Sequence, residues 1–199
     1  KKAGMRPYIF VPAGLEKEKI AEIAAYEPIL IGINGSYDDV NGLGGEIAKK
    51  HPEIAFVNIN FRPYYGDGSK TMGFEIAEQL GWRAPADIVV PIGGALLTTK
   101  IRQGLQEFFY VGLINEMNTK IHGAQGEGSS PVVNAILRNE KFVTPVTPNT
   151  IASSIAIGNP ANGLDALKVI RDSGGYAAVA SYDEIIWGMQ LLEEKEGIL

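Results

Sequence analysis

Residues 89–100 read VVPIGGALLTTK. Two β-branched residues run into Pro91 and Ile92, two glycines follow, and Ala95 opens a run with helical character. A strand delivered through glycine to a helix start is the repeating unit of an α/β fold. Such a junction also aims several backbone N–H groups out of the positive end of a helix dipole, where an anion can bind. Gly93 and Gly94 let the backbone approach a ligand closely. The same junction is a plain turn in many α/β proteins, so the residues alone leave both readings open. It is not the G-x-G-x-x-G dinucleotide fingerprint, because Leu96 and Leu97 stand where further glycine is required.

Outward from this stretch the same grammar repeats. Tyr8 to Val11 is a short apolar strand ended by Pro12-Ala13-Gly14, and Leu15 to Tyr26 places Ile20, Ile23 and Ala24 on one helical face. Pro28 closes that helix and Ile29 to Ile33 forms the next strand. Ser36 reads as an N-cap, with Asp38 and Asp39 beside the positive end of the dipole. The helix it opens carries Gly42, Gly44 and Gly45, each costing about 1 kcal/mol against alanine, and is expected to be weak or broken. Ala55 to Ile59 reads as a third strand, and the polar Asn60 to Ser69 as a crossing between lobes. Beyond it, strands at Ile88–Ile92, Lys120–Ala124 and Tyr176–Val179 alternate with helices. Those helices are expected at Lys70–Leu80, Ala95–Phe109, Pro131–Leu137, Ala161–Asp172 and Asp183–Lys195, the last capped by Ser181. Thr144 to Pro148 is an extended connector. The alternation predicts an α/β architecture with parallel sheets.

Composition narrows the function. The 199 residues suffice for a real core. A net charge of -5 argues against nucleic acid as the main partner, since phosphate backbones want a basic face. No apolar run approaches the roughly 20 residues that span a bilayer, so no membrane partner is expected. The absence of cysteine excludes a disulfide framework and thiolate chemistry, and it fits a cytoplasmic protein. The chain opens on Lys1-Lys2 and closes on EEKEGIL, which reads as a piece of something longer.

Few side chains announce chemistry. His51 and His122 have no partner at metal-ligand spacing, and no metal site is expected. The stretch GDGSKT, Gly66 to Thr71, fails as a P-loop because its lysine follows Ser69 rather than the second glycine. Ser69 at a helix start is either a plain N-cap or part of an anion site.

Several longer blocks carry a resemblance. AFVNINFRPYYGDGSKTMGFEIAEQLGW, DIVVPIGGALLTTKI, IHGAQGEGSSPVVNAI, TIASSIAIGNPANGLDAL and the closing EGIL resemble the pyridoxal-phosphate-dependent threonine synthases, of the tryptophan-synthase-β fold group. YIFVPAGLEKEKIAEIAAY and GSYDDVN match at the front, so the likeness covers nearly the whole chain. The resemblance implies a two-lobe, parallel-sheet α/β fold of pyridoxal-phosphate fold type II, incomplete at both ends. Residues 1–60 would be the later part of the small lobe and 61–199 most of the large cofactor lobe.

It also implies conversion of O-phosphohomoserine and water to threonine and phosphate. The cofactor phosphate would be held by main-chain N–H groups of Gly93, Gly94, Ala95, Leu96 and Leu97. Leu96 is bulkier than the family's usual residue there, which backbone donors tolerate. Asn60, Arg62, Ser69 and Lys70 would face the substrate phosphate, Arg62 being the natural choice for a dianion. Gln125 and Glu127 would line the site at the C-terminal end of a strand. The family's imine lysine lies in an S-F-K-D-like motif ahead of its equivalent of Tyr8–Val11, and the group that pairs with the ring nitrogen lies beyond EGIL. Lys70, Lys100 and Lys168 map to helices without the imine role. The chain is therefore expected to be a middle segment without a catalytic residue of its own. The expected partner is a small-molecule substrate, with a homodimer as the assembly to look for. The alternatives are a cysteate synthase or threonine dehydratase of the same fold group, or a catalytically silent α/β phosphate-binding module.

Overall fold

The computed structural model describes residues 3–57 and 63–198. The chain divides into two compact units, Lys1–Val57 and Asn58–Leu199.

In the first unit, β1 (Tyr8–Pro12) and β2 (Ile29–Ile33) pair in parallel, in register from Tyr8↔Ile29 to Pro12↔Ile33. Between them runs α1 (Lys17–Ala24), which keeps Ile20 and Ile23 half-buried and leaves Ala24 exposed. Phe10 stacks on Phe56 at 6.5 Å between ring centroids. The helix expected to break, α2 (Tyr37–Lys50), is continuous. Ser36 accepts from the Asp39 N–H while the Asp39 carboxylate accepts from the Ser36 N–H, and Lys49 and Lys50 sit at the negative end of the dipole. Val40 and Gly44 are buried, so tertiary packing and end effects together outweigh the glycine propensities. Ala55 to Val57 are not in a strand; residues 58 and 59 of the expected third strand lie outside the described residues.

The second unit is built on a three-stranded parallel sheet in the order β3 (Asp87–Pro91), β4 (Lys120–Gly126), β5 (Ala177–Ala180). Alternation along β4 sends Ile121, Gly123 and Gln125 into the interior and leaves His122 and Ala124 half-buried on the other face. The interior side is covered by α5 (Leu96–Tyr110), α6 (Pro131–Leu137) and α7 (Gly163–Asp172). Their apolar stripes close the core around Val90, Ile92, Ile101, Leu105, Ile121, Val132 and Ile170. A terminal helix, α8 (Tyr182–Glu196), is capped by a Ser181/Glu184 box and ends at Gly197.

The polar crossing is a helix in its later part. Pro63–Ser69 forms α3, and after Lys70 the chain continues as α4 (Thr71–Gln79). Ser69 is therefore the last residue of a helix, not the cap that opens one, and its hydroxyl donates to the Tyr65 carbonyl at 3.1 Å. Lys70 itself has helical backbone angles, so the start of α4 abuts the end of α3 rather than opening toward an anion. α4 crosses α5 at a glycine pair. A Cβ on Gly73 would lie 2.5 Å from the Ile101 carbonyl oxygen, and one on Gly104 would strike the Lys70 carbonyl. The two backbones meet directly.

Candidate functional site

Pro91 ends β3, and Ile92 N–H still donates to the Ala124 carbonyl at 2.8 Å, extending the pairing by one bond. The chain then leaves the sheet through Gly93 and Gly94. Ala95 takes a left-handed conformation, φ 71° and ψ -2°, and α5 begins at Leu96. A non-glycine residue is uncommon in that region, because its Cβ crowds the backbone carbonyl. Ala95 offers the helix start no side-chain cap. The N–H groups of Gly93, Gly94, Ala95, Leu96 and Leu97 have no backbone acceptor among the described residues. The arrangement is a run of backbone donors at the positive end of a 15-residue helix.

The walls of this turn come from the segment between α6 and α7. A Cβ on Gly93 would touch Ile155 at 3.4 Å, and one on Gly94 would meet Ile157 at 3.8 Å. Asn162 N–H donates to the Gly94 carbonyl at 3.2 Å, fixing the loop from the N-terminal side of α7. Asn162 and the 3-10 turn Ser153–Ile155 carry no sequence signal for this role; only the contact reveals it. Thr98, in the first turn of α5, is fully buried, and its hydroxyl has no hydrogen-bond partner among the described residues. Its neighbour Thr99 satisfies its own hydroxyl on the Leu96 carbonyl at 2.7 Å. The Thr98 signal was visible only as a polar residue on the helical stripe of Ile101 and Leu105.

These features fit a phosphate group. The backbone donors and the helix dipole are the chemistry that an oxyanion recruits, and glycine leaves the turn open to close approach.

The other named residues divide. Asn60 and Arg62 lie outside the described residues. Lys70 is half-buried and held by two carboxylates: its ammonium donates to Glu107 at 2.9 Å and lies 3.4 Å from Asp67. Glu107, also held by Gln103 at 3.0 Å, raises the Lys70 pKa, and Lys70 in turn pulls the Glu107 carboxyl below its ordinary range. Imine formation needs a neutral amine, which this pairing disfavours. Lys100 donates to Gln103 on its own helix, and Lys168 is exposed on α7.

Gln125 is spent inside the fold. Its carbonyl oxygen accepts from Val132 and Val133 N–H at 3.0 and 3.1 Å, and its amide donates to the Ile92 carbonyl at 3.2 Å. Both ends of this amide are thus committed to joining α6 to β3. Glu127 is exposed at the end of β4, with its N–H on the Ala180 carbonyl. His122 accepts the Tyr176 N–H at Nδ1 and donates from Nε2 to Asp87 at 2.8 Å, stacking on the Tyr176 ring. That is a structural role. No cluster of metal-ligating side chains occurs among the described residues. Nor is any helix among them long and apolar enough to cross a membrane.

The Glu107 pairing has a pH signature. A carboxyl whose folded pKa is lowered contributes stability above its unfolded value, near pH 4.3, and loses it as pH falls through the folded value. Glu107 is 38% exposed, so screening limits its contribution to about 1 kcal/mol at most. Glu107→Gln should lower the urea midpoint slightly at pH 7, with the gap to wild type closing by pH 3. A gap that persists unchanged at pH 3 would show that the charge is irrelevant.

Comparison with known proteins gives a consistent pattern. The profile of the family described as "Pyridoxal-phosphate dependent enzyme" matches residues 1–199. Threonine synthase from Methanocaldococcus jannaschii is 35% identical over 199 residues, covering 99% of this chain and 48% of the relative. The threonine synthase of Methanosarcina acetivorans is 37% identical with the same coverage. The chain thus spans about half the length of these relatives. Among solved structures, maize serine racemase superposes with a TM-score of 0.74 at 17% identity, over 99% of this chain and 57% of that one. A fungal L-serine ammonia-lyase from Rhizomucor miehei gives 0.75 at 18%, over 100% and 59%.

Proposed function

Because the chain belongs to the family of pyridoxal-phosphate-dependent enzymes, we propose that it is the part of a threonine synthase that anchors the cofactor phosphate. The observation that carries this is the start of α5, where five consecutive N–H groups meet a helix dipole without a backbone acceptor among the described residues. The racemase and ammonia-lyase likenesses support the fold; the threonine synthase relatives, at about twice their identity, support the choice of reaction.

Bound there, the cofactor would supply an electron sink for carbanion chemistry on an amino-acid substrate. Gly93 to Leu97 would fix its phosphate, and the Asn162–Gly94 bond would hold the loop in shape while Ile155 and Ile157 shield it. Donors already oriented by the fold need no reorganisation when the dianion arrives. Substrate phosphate, in this reading O-phosphohomoserine, falls to Asn60 and Arg62, a guanidinium being suited to bidentate binding of a phosphate. Lys70 contributes indirectly, by tying the α3–α4 junction to Glu107 of α5, while Ser69 bonds only within α3. The 1–60 and 61–199 division into small and large lobes, and a homodimeric assembly, belong to the same proposal.

The test is direct. Pyridoxal 5'-phosphate added to the isotopically labelled chain should shift the amide resonances of Gly93 to Leu97, and pyridoxal without the phosphate should not. Amides that stay in place at saturating cofactor would overturn the assignment.

A further inference from the structure

At the opposite end of β3 from the glycine turn, the loops that lead into β3 and β4 enclose a cavity of about 350 Å³. Trp82, Arg83, Ala84, Asn115 and Glu116 line it. The volume lies at the lower end of the range for small-molecule sites. The two loops are braced together: the Thr119 hydroxyl donates to the Pro85 carbonyl at 2.6 Å, and Lys120 N–H donates to the Ala86 carbonyl at 2.8 Å. Trp82 has φ 60°, directly after Gly81 at φ 70°, and its N–H and that of Arg83 both donate to the Ala77 carbonyl. A bulky residue is rare in that left-handed region, and strain of this kind concentrates where a fold presents a side chain to a ligand. The indole packs on Phe108 at 5.8 Å between centroids and still remains 46% exposed.

The charged residues of the cavity are unmatched. Arg83 anchors its Nε on the Leu80 carbonyl at 3.2 Å, and its terminal nitrogens have no partner among the described residues. The side chains of Glu116 and Asn115 have none there either. A cation and an anion thus line one cavity without pairing with each other. We propose that this cavity binds a free α-amino acid with an apolar side chain. Arg83 takes the carboxylate, which a guanidinium suits, while Glu116 and the Asn115 side-chain carbonyl take the ammonium. Trp82 and Ala84 supply the apolar wall for the side chain. The site is separate from the glycine turn and does not rest on the phosphate-anchoring reading.

L-leucine is the probe, and Trp82 fluorescence is the signal once the other tryptophan is removed by Trp187→Phe. Leucine should give a saturable change. L-leucinamide, which lacks the carboxylate, and 4-methylpentanoate, which lacks the ammonium, should each bind about fivefold more weakly, the scale of one solvent-exposed ion pair. Arg83→Gln should weaken leucine by a similar factor and leave leucinamide unchanged. Glu116→Gln should weaken leucine and leave 4-methylpentanoate unchanged, because each substitution costs only the ligand that carries the matching charge. Either analogue binding as tightly as leucine would overturn the proposal, as would the absence of a saturable change up to the solubility limit of leucine. Substitutions that weaken leucine and both analogues equally would overturn the assignment of the two charges. Should a variant fail to fold, the analogue comparison on the chain with Arg83 and Glu116 intact still decides.

Discussion

Gln125→Leu is expected to destabilise the second unit by about 2–4 kcal/mol, as read from urea denaturation with an unchanged slope. The Gln125 amide is 2% exposed and makes three bonds, two accepted from Val132 and Val133 N–H and one donated to the Ile92 carbonyl. Those N–H groups belong to the first turn of α6, whose cap residue Ser130 supplies no side-chain bond. Leucine is similar in size but leaves two buried donors and one acceptor without partners, each costing about 1–3 kcal/mol before relaxation. Amide exchange at Val132 and Val133 should accelerate more than exchange elsewhere in α6. A leucine variant as stable as wild type would show that water or a neighbour satisfies these groups.

Gly104→Ala should lower stability by about 2–3 kcal/mol, or Tm by roughly 5–10 °C. Alanine is the better helix former by about 1 kcal/mol, so propensity alone gives the opposite sign. Packing decides. The added methyl would strike the Lys70 carbonyl, and the Gly73 backbone lies 3.4 Å from the same point. Backbone atoms cannot rotate aside, so α4 and α5 must separate and loosen Ala77, Ile101 and Leu105 between them. Gly188→Ala in α8 is the control. A Cβ there meets nothing within 4 Å, so that variant should gain up to about 1 kcal/mol. Equal signs at the two positions would refute the account of the crossing.

The elements of this fold were legible because each carries a local signal. The paired strands around Gly93-Gly94, the Ser36 and Ser181 caps and the proline opening α6 are all written in adjacent residues. The misreadings arose where a local signal was overruled. Gly66 and Gly68 suggested loop, yet Pro63–Ser69 is helical, packed so closely on α5 that a Cβ on Gly66 would lie 3.0 Å from the Lys100 side chain. Gly42, Gly44 and Gly45 suggested a break, and capping with burial carried α2 through them. In the candidate site the backbone donors were legible from the strand-glycine-helix order. Gln125 was not: its position at a strand end looked like a ligand's, and only its three partners show that it holds α6. Asn162 could not be read at all, since it acts through a main-chain N–H.

The strand order has a consequence in time. In both described sheets every strand pairs with the next one along the chain, β1 with β2, β3 with β4 and β4 with β5. Each pairing closes over a single helical excursion, or two in the case of β4 and β5, so no strand must be held open for a remote partner. Pairing each strand with the next keeps loop closure shorter than a remote partner would require, within the slow regime that parallel pairing across a helix imposes. In synthesis order β1 and β2 are complete at Ile33, before β3 begins at Asp87. The sheet beneath the glycine turn follows the same chain order: β3 and β4 flank α5, and α6, α7 and β5 come after them in the chain.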